Sequence, residues 1–95
     1  MADHKPIKAV GIGYTPHQDH APTVVAKGRR KVAEQIIAIA REHSIPVYED
    51  PAVVELLYAI DLDQEIPEEL YKVIAEILVF VYRLDGNYTK KQLIK

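Results

Sequence analysis

The stretch HAPTVVAKGRRKVAEQIIAIAREHSIPVYEDP, His20 to Pro51, decides the fold. Its first part, TVVAKG (Thr23 to Gly28), is rich in β-branched residues and halts at a glycine, which predicts a strand. From Arg29 to His43 the apolar positions Val32, Ile36 and Ile39 recur at helical spacing, flanked by Ala33, Ile37 and Ala40. That period predicts an amphipathic helix. IPVYED (Ile45 to Asp50) then reads as another strand, with Pro46 near its start, where a missing N–H does least harm. Strand, helix, strand requires a crossover connection, so these two strands should run parallel.

Working outward, AVGIGY (Ala9 to Tyr14) is a short apolar run and a further strand. The loop TPHQDHAP follows it, marked by Pro16 and Pro22. The direction of this strand relative to its neighbour stays open. Asp50-Pro51 is a helix start, an N-cap acceptor followed by proline, and the helix runs through Val53, Val54, Leu57 and Ile60. Beyond the acidic link DLDQE, Pro67 with Glu68 and Glu69 opens a last helix, which the pattern carries to about Leu84 before Gly86. The expectation is one α/β domain, a small sheet of about three strands packed by about three helices. Its parts are an N-terminal arm at 1–8, the folded body at 9–86 and a polar tail at 87–95.

Ninety-five residues suit a single domain, and 48% hydrophobic with 27% charged residues argues against disorder. A net charge of -2 provides no global attraction to nucleic acid or anionic lipid. The absence of cysteine excludes a disulfide, a zinc–thiolate site and a thiol nucleophile. The polar start MADHKPIK does not read as a signal peptide, and no apolar run approaches the ~20 residues of a membrane span. A cytoplasmic protein without membrane insertion is expected.

Several constellations invite a chemical reading. Gly11-Ile12-Gly13 lacks the third glycine of a dinucleotide fingerprint and runs into a proline-containing loop. Lys27-Gly28-Arg29-Arg30-Lys31 lacks the upstream glycine and the Ser/Thr of a phosphate-binding loop. As a nucleic-acid patch it has no interleaved aromatics and faces 14 acidic residues, so a solvated helix start is the better reading. His17, Asp19 and His20 have no supporting shell for a metal, and none is expected. Glu65, Glu68 and Glu69 sit where a helix N-terminus favours negative charge, and Ser44 has no evident base. No cofactor is implied.

The last helix carries more apolar surface than one packing stripe uses. Leu70, Ile74, Ile77, Val81 and Leu84 form one stripe, with Tyr71, Ala75, Leu78 and Tyr82 beside it. Either the helix is buried between layers or it presents an apolar patch to a partner.

The segments APTVVAKG, AREHSIPVYEDP and QEIPEELYKVIAEILVFVYRL resemble the cytoplasmic domain of the FlhB/YscU family, the substrate-switch proteins of flagellar and type III secretion export. The resemblance runs from about Val10 to Leu84. It implies a small sheet surrounded by helices, with Gly28 as a turn residue. It also implies a non-enzymatic accessory of bacterial protein export. Such a module would dock export substrates or complement the cytoplasmic part of the membrane-bound switch protein. Its partners would then be export-apparatus components and export substrates. The family's docking patch, carried over by residue, falls on Ala21, Pro22, Ala75 and Leu78.

Two departures shape the expectation. Family members carry a membrane domain ahead of this one, and none is legible from Met1 onward, so a stand-alone protein is expected. They also carry Asn-Pro-Thr-His just before the strand matched by AVGIGY, and cut themselves between its Asn and Pro. The Asn side-chain amide attacks its own carbonyl to form a succinimide. Here that place reads His4-Lys5-Pro6-Ile7-Lys8, without the amide, and no strand is legible ahead of it; the only Asn is Asn87. The purified chain is therefore expected to remain one intact species of 10.8 kDa at neutral pH. Scission beside Pro6, seen by mass spectrometry, would overturn that expectation.

Overall fold

The computed structural model describes residues 8–82 and 88–95, with the backbone alone for 79–82. Strand β1 (Lys8–Tyr14) pairs antiparallel with β2 (Thr23–Arg29), and helix α1 (Lys31–Glu42) leads to β3 (Val47–Tyr48). Helix α2 (Pro51–Tyr58) follows, then a 3-10 turn at Glu68–Leu70, helix α3 (Tyr71–Ile77), and strands β4 (Val79–Tyr82) and β5 (Tyr88–Ile94). The sheet order is β2-β1-β5-β3, with β4 also paired to β5. Because β1 is antiparallel to both β2 and β5, and β3 is parallel to β5, strands β2 and β3 run in the same direction. The crossover through α1 is thus parallel, as the sequence requires, but it spans two intervening strands.

The alternation of side chains along the strands builds a core on each face. Val10, Ile12, Val24 and Ile94 point to one side and pack with Val54 and Leu57 of α2, Ile66, and Ile74 of α3. Ala9 and Leu93 point to the other and pack with Ala33, Ile37 and Ala40 of α1. The buried line of α1 is therefore the small-residue line beside the one that the larger apolar residues trace. Val32 and Ile39 stay half-exposed, at 50% and 55%.

The reason lies at Gly28. It is not a turn residue but an interior position of β2, paired with Ala9. A Cβ there would collide with the Val32 side chain and come within 3.2 Å of Ile36 Cδ1. Helix α1 comes this close to the sheet only because glycine and alanine line the contact. The turn itself is the single residue Arg30, held at φ 55°, ψ -123° between strand and helix.

Helix α2 starts as expected, the Val53 N–H donating to Asp50 Oδ1 at 3.1 Å with Pro51 in the first turn. Its other end is closed by Lys27, whose Nζ donates to the carbonyls of Tyr58 and Ile60, each at 2.9 Å. A cation suits the negative end of a helix. Lys27 and Lys8 both lie over the Tyr58 ring, at 5.1 and 5.0 Å, and Lys8 also pairs with Glu55 at 2.6 Å.

Two expectations about the C-terminal region are corrected. The last helix does not run to Leu84. It ends at Ile77, and Leu78 takes extended backbone at φ -73°, ψ 135°. The run Val79-Phe80-Val81-Tyr82, β-branched and aromatic throughout, forms β4. Leu84 and Gly86 lie outside the described residues. The polar tail is also no tail. Residues 88–94 form β5, interior to the sheet, with Thr89, Gln92, Leu93 and Ile94 buried.

Neighbouring positions thus carry opposite glycine logic. Gly28→Ala should overpack the α1–β2 contact and lower stability by about 1–3 kcal/mol. Arg30→Gly removes a Cβ from a conformation that costs a non-glycine residue roughly 1–3 kcal/mol, less the entropy lost by glycine, for a net gain of about 1 kcal/mol. Urea unfolding of the two variants should move the midpoint in opposite directions.

Candidate functional site

The basic run is divided between two roles. Lys27 is engaged with the end of α2, whereas Arg29, Arg30 and Lys31 are exposed on the turn and the start of α1. A phosphate or nucleic-acid surface would need these cations on one face. The role of Lys27 is not legible locally, because the Tyr58 and Ile60 carbonyls lie more than thirty residues away.

The loop histidines are similarly placed. Asp19 accepts the Thr15 N–H at 2.8 Å, and His20 Nδ1 lies 3.6 Å from Glu65 Oε1 with both side chains largely exposed. Among the described residues no three ligand side chains cluster as a metal site. Ser44 ends α1 at φ 59°, while the Ile45 N–H reaches back to the Ala40 carbonyl at 2.8 Å. It closes a helix rather than facing a base.

The four residues of the expected docking patch lie on two segments. Ala21 and Pro22 end the loop before β2; Ala75 lies on α3, and Leu78 directly follows it. Ala21 is buried, Pro22 and Leu78 are half-buried, and Ala75 is exposed. Ile66 links the two segments. Its N–H donates to the Pro22 carbonyl at 2.8 Å, and its side chain shares a core with Ile74, against which Leu78 packs. Of the four, Pro22, Ala75 and Leu78 are therefore the accessible apolar groups, and Ala21 is not. The wide apolar surface read along the last helix resolves in the same way. Ile74 is buried in the core, Ala75 is exposed, and Val79–Tyr82 belong to a strand.

On the opposite face, a cleft of about 410 Å³ opens between the sheet and α1. Gly11, Gly13, Val25, Ile39 and Leu93 line it, and Thr89 Oγ1 is buried beside it without a hydrogen-bond partner among the described residues. Nothing in the sequence pointed to this cleft, since Thr89 falls in the segment that reads as a tail.

No helix among the described residues is long and apolar enough to cross a membrane. Comparison with known proteins supplies the context. Residues 7–81 match the model of the FlhB HrpN YscU SpaS family. The chain is 41% identical to YlqH of Bacillus subtilis over 93 residues, which is 97% of this chain and the whole of that protein. It is 42% identical to the flagellar biosynthetic protein FlhB of Aquifex aeolicus over 74 residues, 77% of this chain and 21% of the relative. To the FlhB of Bacillus subtilis it is 40% identical over 76 residues, 79% of this chain and again 21% of the relative. The chain thus spans about one fifth of each of these FlhB proteins. With residues 7–81 of its 95 inside the match, the chain belongs to the FlhB HrpN YscU SpaS family.

Proposed function

We propose that this protein is a non-enzymatic accessory of bacterial flagellar or type III protein export. Its role would be to dock export substrates, or to stand in for the cytoplasmic part of the membrane-bound switch protein. The observation that carries this reading is the family match over residues 7–81, which takes in β1 through α3. Two further features support it. The titratable residues singled out from the sequence are committed to helix ends and loop contacts rather than gathered around a reacting centre. Pro22, Ala75 and Leu78 offer apolar surface beside the Ile66–Ile74 core, a shallow place for an incoming apolar side chain. A contact of this size, made with a segment that must be ordered on binding, is weak. The nucleic-acid reading loses one of its four cations, because Lys27 is held by α2, and the net charge of -2 also weighs against it.

Burial separates the two informative substitutions. Ala75 is exposed, so Ala75→Asp should leave thermal unfolding unchanged while lowering retention of rod- and hook-type export subunits about tenfold, or ~1.4 kcal/mol. Leu78 packs on the core, so Leu78→Asp should lower capture and stability together. Unaltered capture by a folded Ala75→Asp variant would remove α3 from the docking surface.

A further inference from the structure

Strand β5 lies beyond the family match, which stops at residue 81, yet the sheet is not continuous without it. Within the matched segment the strands fall into two sets, β1 with β2 on one side and β3 and β4 on the other. Both β3 and β4 take their pairing from β5. Removing β5 would strip Ile94 from one core and Leu93 from the other, and would bare the β1 edge from Val10 to Tyr14. An exposed interior edge of that kind is a template for aggregation. FlhB proteins that share this segment must therefore close the sheet with chain from outside it.

The register indicates which chain. β5 is antiparallel to β1 with Ile94 opposite Val10, so the end of β5 lies beside the start of β1. A strand placed before β1 and joined to it by a tight turn would run along the same track in the same direction. The relative that is as short as this chain, YlqH, aligns over 97% of it and so takes in most or all of β5.

We propose that β5 is a replacement strand. It fills, from the C-terminal side, the sheet position that the FlhB relatives fill with chain preceding their counterpart of β1. Resting on the reading of this protein as a stand-in for a relative's cytoplasmic part, the inference specifies how it stands in. It does so as a complete domain, with its β1 edge closed, rather than by pairing with a strand lent by the membrane-bound protein.

Two rearranged chains test this, with folding as the readout. In the first, residues 88–95 are moved ahead of residue 8 through a short glycine-containing turn, and 83–87 are omitted. In the second, the stretch immediately preceding the matched segment of Aquifex aeolicus FlhB is joined ahead of residue 8, and 83–95 are omitted. Both should unfold cooperatively in urea, the first within about 0.5 M of the parent midpoint, while a chain lacking 83–95 with no graft should not. Failure of the first at every turn length tried would overturn the hairpin geometry. Folding of the first with failure of the second would show that the relative's preceding chain does not fill this position, and would equally overturn the proposal. Loss of substrate capture by a folded rearranged chain would count against the proposed function and leave this inference standing.

Discussion

The hydrogen-bond ladders on the two edges of β5 hold the architecture together. One edge meets β1 from Val10↔Ile94 to Tyr14↔Lys90. The other is divided, with β4 taking Tyr88 to Lys91 and β3 taking Leu93 and Ile94. The β3 side extends past the strand, since Leu93 N–H donates to Pro46, Lys95 N–H to Tyr48, and Asp50 N–H to Lys95. That last bond ties the N-cap of α2 to the end of β5. Both cores and the start of one helix thus depend on a single seven-residue strand.

The two faces of that sheet are packed by different means. On one face α2, Ile66 and α3 contribute large aliphatic side chains. On the other face α1 approaches on Ala33, Ala40 and Gly28. Close approach brings many weak dispersion contacts but tolerates little added volume. The cleft on this face lies between α1, at Ile36 and Ile39, and the strand residues Gly11 and Gly13.

Legibility followed locality. β1, β2, α1 and the Asp50 cap of α2 were readable because each is specified by residues a few positions apart. Residues 79–82 continue the helical period of α3, and only a partner strand distinguishes strand from helix there. That partner is β5, whose sequence YTKKQLI reads as polar because its lysine stems and its Thr and Gln occupy strand positions that short-range patterning assigns to solvent. Gln92 is buried because its Nε2 finds the Pro46 carbonyl at 3.1 Å, a contact across forty-six residues. Arg30 misled in the opposite sense: the glycine two residues before it suggested where the turn falls, while the positive φ belongs to the arginine. For Ala21 and Ala75, position along the chain was legible but accessibility was not: the first is buried and the second exposed.

Leu78 joins the end of α3 to the strand that pairs with β5. On its N-terminal side the Leu78 N–H closes the last turn of α3 on the Ile74 carbonyl at 3.0 Å. On its C-terminal side the chain is committed one residue later, where Val79 pairs with Lys91 of β5. Leu78 is thus the residue at which helix becomes strand, and its half-buried side chain packs on the same core that holds Ile94. A domain whose sheet lacked this strand would lose the pairing that ends α3 and, with it, the fixed position of the apolar group beside Ala75. The placement of Leu78 at this end of α3 therefore depends on a strand in the β5 position, which residues 88–94 supply here.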